Sequence, residues 1–164
     1  MSDLYTALYS SRWEENGIKS ELAGLIIAPE DYVAPNGKRY FTYDEAMELE
    51  EKVLKPNGWR LPTANEWTKI VAEFGTDENP DAAIEVLNLE SNGFIWDNCM
   101  KEYNKDPKDY DSVIGRGVGG HWWSATATSS TYAYLLYTFS GRVIPQDIND
   151  RGDGFAVRCV KEDK

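Results

Sequence analysis

The sequence predicts one α+β domain, with helices in the middle of the chain and an antiparallel sheet in its last third. Two segments, 42–45 and 63–66, have the Thr-x-x-Glu pattern of a helix capping box. Short aromatic and polar segments separated by turn residues fill positions 119–160, which is typical of strands joined by hairpins. The 164 residues fit one domain, and neither a repeat nor a low-complexity linker divides them.

The N-terminal part of the chain predicts an arm followed by a buried strand. We interpret residues 1–20 as an arm that packs on the domain or on another subunit, and residues 21–164 as the single domain. The apolar run at 22–28 is closed by a proline and predicts a buried strand. A turn signal precedes the aromatic segment 39–41, which predicts a second, brief strand.

Both predicted helices have one apolar face and a clear end. The first begins at 42–45 and is stopped by the Lys-Pro-Asn-Gly sequence at 55–58. The second begins at 63–66 and ends at Gly75. Apolar side chains recur at helical spacing in each helix, namely Ala46, Leu49 and Val53 in the first and Trp67, Ile70, Val71 and Phe74 in the second.

The region between the second helix and the last third is predicted to be irregular but ordered. The Asn-Pro pair at 79–80 predicts the start of a short helix. Residues 90–120 predict a long ordered insertion, because four large aromatic side chains would be costly to leave in water. Such an insertion usually has a functional or partner-contacting role. The apolar residues of the short helix are Ile84, Val86 and Leu87, and the aromatic residues of the insertion are Phe94, Trp96, Tyr103 and Tyr110.

The last third of the chain predicts an antiparallel meander. Strands are expected at 122–125 and 132–139, followed by a Ser-Gly hairpin and a return strand at 142–144. Pro145 indicates the end of that strand or a place at the sheet edge. Segment 155–160 is expected to close the sheet as a strand. Its alternation assigns Phe155, Val157 and Cys159 to one side and Ala156, Arg158 and Val160 to the other.

The charge balance and the hydropathy weigh against several classes of partner. The chain has a formal net charge of −11 and a pI near 4.5. Nucleic acids and anionic membrane surfaces bind clustered Lys and Arg, so neither is expected as a partner. No segment has the ~20 apolar residues that a membrane helix needs, so no membrane insertion is expected. The N-terminus has no signal-peptide pattern, which predicts a chain that is cytoplasmic as synthesised. Such a chain either stays in the cytoplasm or reaches a virion or cell surface by a route without a signal, such as cell lysis.

Three segments together resemble a known family. They are Gly-Trp-Arg-Leu-Pro-Thr-Ala-Asn-Glu-Trp at 58–67, Trp-Trp-Ser-Ala-Thr at 122–126 and Gly-Phe-Ala-Val-Arg-Cys-Val at 154–160. In this order they resemble the Fibrobacter succinogenes major paralogous domain family, which is related to formylglycine-generating enzymes and to the variable proteins of diversity-generating retroelements. The resemblance implies a C-type-lectin-like fold, in which two helices flank a small twisted antiparallel sheet and the first and last strands lie together. The Trp and Arg residues of these segments are expected to hold the scaffold, with Arg60 bridging to an acidic neighbour.

The residues that catalysis or metal binding would require are sparse. Formylglycine-generating enzymes need a closely spaced cysteine pair, whereas this chain has only Cys99 and Cys159, whose pairing the sequence leaves open. Related iron-dependent enzymes need several histidines, whereas the single His121 lies beside two tryptophans and is expected to be packed in a strand. Segment 147–153 begins like a calcium loop, but Arg151 occupies its fifth position, so we interpret it as a solvated turn. We therefore expect neither an enzyme nor a cofactor.

The resemblance implies a binding function for the C-terminal segment, which is the ligand face of retroelement variable proteins. The function expected is a ligand- or receptor-binding module, such as a phage tail-tip protein or a retroelement variable protein. Its partner would be a cell-surface protein or glycan, and a homotrimer is the oligomer expected of tail proteins. Two alternatives are a structural or assembly module of a virion or cell surface, and an oxidoreductase like the formylglycine-generating enzymes. The predicted binding residues, whose alternative is an ordinary exposed hairpin, are Ser129, Ser130, Tyr132, Tyr134, Asp147, Asn149, Asp150 and Arg151.

Overall fold

A computed structural model describes residues 11–75, 79 and 82–163, and these form a mixed α+β protein, as the sequence predicts. The strands in these residues are β1 (Ile18–Ser20), β2 (Leu25–Ile27), β3 (Gly119–Ala127), β4 (Tyr132–Phe139), β5 (Arg142–Asp150) and β6 (Val160–Glu162). The helices are α1 (Tyr43–Leu49), α2 (Ala64–Phe74), α3 (Ala82–Val86) and α4 (Met100–Lys105), and residues 11–16 are also helical. Antiparallel pairing produces two three-stranded sheets, ordered β1-β2-β6 and β3-β4-β5. None of the helices in the described residues is long and apolar enough to cross a membrane.

The first sheet brings the early strands and the last strand together. β2 lies in the middle, with Ile27 opposite Ile18 of β1 and opposite Val160 of β6. Leu25 and Ile27 are buried, so the apolar run at 22–28 supplies the predicted buried strand. The expectation that the first and last strands lie together is therefore confirmed.

Residues 11–20 pack on the domain. Trp13 is only 2% exposed, and its ring lies edge-on to that of Trp59 with the ring centroids 5.1 Å apart. Residues 18–20 form β1, so this part of the predicted arm contributes both a core side chain and a strand. Residues 1–10 of the arm lie outside the described residues, and a contact with another subunit stays a prediction.

Both capping boxes form as predicted. In each box the threonine hydroxyl accepts a hydrogen bond from the glutamate N–H at 3.1 Å, and the glutamate carboxylate accepts one from the threonine N–H at 2.8 Å. α1 continues through a π-helical turn (Glu50–Leu54) and a 3₁₀ turn (Lys55–Asn57) to Gly58, whose φ of 85° favours glycine. α2 ends at Gly75. Both helices therefore begin and end where the sequence predicts.

The second sheet is packed on both faces. On one face, Trp122 and Leu136 share a core with Trp67 of α2. On the other face, the ring of Trp123 lies edge-on to that of Tyr43 of α1, with the centroids 5.6 Å apart. Two helices therefore flank this sheet, and its central tryptophans anchor one helix each.

β5 is longer than predicted. The sequence predicts a return strand at 142–144 and a solvated turn at 147–153, whereas β5 continues to Asp150. β5 is the edge strand of its sheet, so Pro145 is tolerated without the loss of an interior ladder hydrogen bond. A bulge opposite the middle of β4 absorbs one extra residue of β5. The interpretation of 147–150 as a turn is therefore wrong, because pairing with β4 continues past the bulge.

Segment 155–160 passes between two cores instead of closing the second sheet. The sequence predicts a regular strand there, but only Val160 enters a strand, β6, which pairs with β2. The backbone segments on either side pair with it only through isolated β-bridges, such as Phe41 with Phe155 and Trp122 with Ala156. The predicted alternation is confirmed, since one core contains Phe155, Val157 and Cys159 and the other contains Ala156 and Val160.

The insertion at 90–120 is ordered, as predicted. Tyr103 of α4 is buried, and its hydroxyl accepts a hydrogen bond from the N–H of Arg39 at 2.7 Å. The predicted strand at 39–41 is reduced to one bridge between Phe41 and Phe155, because its polar groups bond to the insertion instead. α4 itself was not predicted, since six residues are too few for a clear helical period.

The short helix α3 forms where the sequence predicts it. The Asn79 carbonyl accepts a hydrogen bond from the N–H of Ala82 at 3.2 Å, and Pro80 lies outside the described residues. Leu87 is buried directly after the helix, whereas Val86 is exposed. Only part of the predicted apolar set therefore enters the core.

Candidate functional site

The predicted binding residues lie at one end of the second sheet. Antiparallel pairing places Tyr132 opposite Asp150 and Tyr134 opposite Ile148. The β3–β4 turn at 128–131, which contains both predicted serines, precedes Tyr132 at the same end. The arrangement of strand, turn and strand therefore brings most of the predicted residues together.

The two faces of this sheet divide the predicted set. Residues directly opposite each other on antiparallel strands point to the same face. Tyr132, Tyr134 and Asp150 therefore share one face. Asp147 and Asn149 pair with two buried residues of β4 and belong to the opposite face. The eight predicted residues thus do not form one continuous surface.

Tyr132, Tyr134 and Ile148 form an exposed cross-strand cluster, which we call the tyrosine patch. Tyr132 is 48% exposed, Ile148 is 50% exposed and Tyr134 is half-buried. Tyr134 and Ile148 are directly opposite each other, a position at which Cβ atoms lie about 4.5–5.5 Å apart. Contiguous exposed apolar side chains are typical of interaction surfaces. The tyrosine patch is therefore the part of the predicted set with the character of a binding surface.

Sequence reasoning missed Ile148 as a member of this surface. The interpretation of 147–153 as a turn left no reason to place Ile148 beside Tyr134. The spacing of Ile144 and Ile148 gave no usable signal, because a period of two would place both on one face. The bulge in β5 instead puts Ile144 on the face opposite the tyrosine patch.

Hydrogen bonds hold the β3–β4 turn in one conformation. The Ser129 hydroxyl accepts hydrogen bonds from the N–H groups of Thr131 and Tyr132, each at 3.1 Å. The N–H of Thr128 donates to the Tyr132 carbonyl at 3.0 Å. Ser130 is exposed at the tip. A turn that is ordered before binding loses less conformational entropy when a ligand arrives.

Arg151 connects the turn to α1. Its guanidinium donates to the Ser129 carbonyl at 2.9 Å and to the Asp44 carboxylate, and it lies over the Tyr43 ring, 4.6 Å from the centroid. Its backbone N–H donates to the Thr131 carbonyl at 2.9 Å. Arg151 therefore positions the turn, and much of its donor capacity is used within the protein.

A shallow depression of about 400 Å³ lies at the same end of the sheet. The Asp150 carboxylate accepts a hydrogen bond from the N–H of Gly152 at 2.7 Å at its wall. Because Asp150 pairs with Tyr132, the depression adjoins the tyrosine patch. It combines hydroxyl, carboxylate and backbone groups, which suit a ligand with many hydrogen-bonding groups. Its lining residues are Thr42, Asp44, Ser130, Thr131, Asp150, Arg151 and Gly152.

The acidic segment after β5 is organised by internal hydrogen bonds. Asp153 is buried, and its carboxylate accepts a hydrogen bond from the N–H of Asp97 at 3.0 Å. Burial, together with the nearby carboxylates of Asp150 and Asp97, raises the pKa of Asp153 to about 6. In the part of the chain that the structure describes, no group of three or more His, Cys, Asp or Glu residues is placed to hold a metal ion.

No protein-family model matches this chain, and no curated protein matches it either. The segments that carry the family resemblance nevertheless have the expected scaffold role. Arg60 donates two hydrogen bonds of 2.7 Å to the Glu66 carboxylate, which confirms the expected bridge to an acidic neighbour. The tryptophans of these segments, Trp59, Trp67, Trp122 and Trp123, are all buried.

His121 and Cys159 are both buried. His121 is packed as predicted, 4.9 Å from the Phe155 ring and 4.8 Å from the Tyr137 ring, and burial lowers its pKa to about 4. Burial raises the pKa of the Cys159 thiol well above its ordinary value. Cys99 and Cys159 are both free thiols. The expectation that the chain is not an enzyme stays a prediction.

Proposed function

We propose that the chain is a non-enzymatic ligand-binding module with a C-type-lectin-like fold. The fold proposal is supported by the pairing of β2 with β6 and by the two helices that flank the second sheet. These features occur in the order that the family resemblance implies. The function proposal depends on the second sheet, because that sheet carries the tyrosine patch.

The tyrosine patch is the observation that carries the function. Tyrosine offers a large amphipathic surface at a low cost in side-chain entropy, and Tyr132 and Tyr134 project from a paired strand. The hydrogen-bonded turn beside them further limits the cost of ordering on binding. Aromatic residues at the centre of an interface commonly contribute about 2 kcal/mol or more each, so two of them would dominate a binding surface of this size.

The proposed partner is a protein or glycan on a cell surface. The proposed context is a phage tail tip or the variable protein of a diversity-generating retroelement, in which the C-terminal segment is the ligand face. Both rest on the family resemblance of the segments at 58–67, 122–126 and 154–160. A homotrimer is the assembly proposed for the tail-tip context, and light scattering on the purified chain measures it.

A binding experiment with paired variants tests this function. The fluorescently labelled chain is applied to a printed glycan array and to a panel of bacterial cells in a flow cytometer. The double variant Tyr132→Ala, Tyr134→Ala should lose at least about tenfold in signal, because it removes most of the patch. Phe139→Ala is the matched control, since Phe139 is an exposed aromatic residue of the same strand on the opposite face. Equal signals from the wild type and the double variant would remove the tyrosine patch from the site.

A second candidate function, that of an assembly module, has its own supporting observation. Phe139 and Ile144 are 43% and 39% exposed and lie on the face opposite the tyrosine patch. Exposed apolar residues there favour contact with another subunit. Size-exclusion chromatography with light scattering distinguishes the two functions. An assembly module should form oligomers that Ile144→Asp dissociates, whereas a monomeric wild-type chain at high protein concentration would exclude self-assembly through this face.

A further inference from the structure

A polar cavity lies where the insertion at 90–120 meets the segment that contains Asp31 and Arg39. Its volume is about 230 Å³, and it adjoins a more open cavity of about 490 Å³. The two cavities share Asp31, Arg39 and Glu90 as lining residues. Neither cavity has a lining residue in common with the tyrosine patch, so this is a separate site.

The floor of the cavity is a charge-compensated network. The Asp31 carboxylate accepts hydrogen bonds from Arg158 Nε at 3.0 Å, from Trp122 Nε1 at 2.7 Å and from Asn92 Nδ2 at 3.2 Å. The Tyr40 hydroxyl donates to the Asn92 carbonyl. Asp31 and Arg158 therefore neutralise each other, and the floor contributes shape and rigidity more than net charge.

Two other arginines, Arg39 and Arg116, lie on the wall of the cavity. Arg158 is paired with a carboxylate, whereas these two make different contacts. Arg39 Nε donates to the Tyr110 hydroxyl at 3.0 Å, and the Arg116 guanidinium lies over the Tyr110 ring, 5.6 Å from the centroid. Among the described residues, neither Arg39 nor Arg116 forms an ion pair with a carboxylate. The terminal nitrogens of a guanidinium form a planar donor fork that matches a carboxylate or a phosphate.

The balance of charge around the cavity indicates whether the anion is a carboxylate or a phosphate. Glu90 lines both cavities and, like the two arginines, has no ion-pair partner in the described residues. When Asp31 is counted with Arg158 as a neutral pair, Arg39, Arg116 and Glu90 leave a single positive charge, in a chain whose net charge is −11. A carboxylate carries one negative charge, whereas a phosphate monoester carries about −1.5 to −2 at pH 7. The local balance therefore favours a carboxylate.

We propose that this cavity binds a small ligand through one carboxylate, which Arg39 and Arg116 hold. The volume of the inner cavity is below the roughly 300–1,000 Å³ of sites for drug-sized ligands, so the ligand is a small acid of about the size of a monosaccharide. The hydrogen-bonded phenol of Tyr110 fixes the Arg39 side chain in place before the ligand arrives. The proposal does not depend on the tyrosine patch.

An NMR titration at low ionic strength tests the ligand class. The probes are three carboxylates (glucuronate, N-acetylneuraminate and lactate), neutral glucose, and glucose 6-phosphate. At least one carboxylate should shift protein resonances saturably, glucose should not, and glucose 6-phosphate should bind more weakly than glucuronate. The proposal is overturned if no carboxylate binds, if glucose binds as well as glucuronate, or if glucose 6-phosphate binds more tightly.

Charge variants test the assigned residues. Arg39→Gln and Arg116→Gln should each weaken carboxylate binding by about tenfold or more, because each removes charge-assisted hydrogen bonds. Arg142→Gln makes the same charge change at an exposed hairpin position and should leave the affinity unchanged. Glu90→Gln should raise the affinity several-fold, a gain that unfolding cannot produce.

Three further outcomes separate this site from a general charge effect and from the tyrosine patch. An equal loss in Arg142→Gln and Arg116→Gln, or a loss in Glu90→Gln, would overturn the assignment. The double variant Tyr132→Ala, Tyr134→Ala should keep the carboxylate affinity of the wild type. A loss of carboxylate binding in that variant would place the ligand on the tyrosine patch and contradict the cavity site.

Discussion

Replacing Arg158 by methionine tests how firmly the segment between the two cores is anchored. Arg158 is only 1% exposed, and its Nε donates to the Asp31 carboxylate at 3.0 Å. Its terminal nitrogens donate to three backbone carbonyls, those of Ala28, Leu87 and Asn88. One side chain thus joins the C-terminal segment to the residue that follows β2 and to the two residues that follow α3.

The size of the effect follows from the groups that lose their partner. Methionine keeps an unbranched apolar stem, so the substitution removes mainly the charge and the hydrogen bonds. Removing one partner of a buried ion pair costs about 3–5 kcal/mol. Asp31 keeps Trp122 and Asn92 as donors and is partly exposed, which places the expected loss near the lower limit, at about 3 kcal/mol. The free energy of unfolding of most domains is roughly 5–15 kcal/mol, so this loss is a large part of it.

Urea denaturation followed by tryptophan fluorescence measures the loss. Arg142→Met is the control, and it should stay within about 0.5 kcal/mol of the wild type because Arg142 is exposed. Adding Asp31→Asn to Arg158→Met should recover part of the loss, since a neutral amide no longer needs a cationic partner. A loss below about 1 kcal/mol in Arg158→Met would refute the reasoning.

Three further predictions concern stability. Thr63→Ala should lower the free energy of unfolding by about 1 kcal/mol, because it removes the cap of α2; an unchanged urea midpoint would argue against the capping role. Gly120→Ala should cost about 1–3 kcal/mol, because the added Cβ would collide with the Trp122 ring and come within 2.8 Å of the Glu90 carbonyl; an unchanged melting temperature would contradict this close packing. Between pH 4 and 6 the unfolded Asp153 carboxyl is ionised whereas the folded one keeps its proton, so this group makes the wild type less stable as the pH rises through that window. Asp153→Asn should lack that contribution, and identical pH profiles of unfolding for the two proteins would rule it out.

The helices were predictable because their ends depend on local contacts. The capping boxes at 42–45 and 63–66 need only side chains three residues apart, and Gly58 and Gly75 stop the helices without help from distant parts of the chain. Segment 155–160 shows the limit of such reasoning. Its alternation was correct, but its backbone carbonyls accept hydrogen bonds from several separate segments, such as those of Phe41, Tyr32 and Ala28, and no local signal predicts these partners.

The candidate site was predictable in place but not in its division between faces. Composition pointed to the region around Tyr132 and Tyr134, and pairing with β5 does bring the two strands together there. Which face Asp147 and Ile148 occupy depends on the bulge and on how far β5 continues past Pro145. The cavity lined by Arg39 and Arg116 could not be predicted from the sequence, because these two arginines are distant in sequence. Their common contact is the Tyr110 side chain.

Ile148→Asp places a charge within the tyrosine patch while changing a side chain that is half-exposed. The measurement is the binding of wild type and variant, by flow cytometry, to the bacterial cells that the wild type labels most strongly. We expect at least a tenfold loss of affinity, about 1.4 kcal/mol or more, with an unchanged circular dichroism spectrum and urea midpoint. Wild-type binding by a folded Ile148→Asp chain would contradict the assignment of this surface as the recognition face.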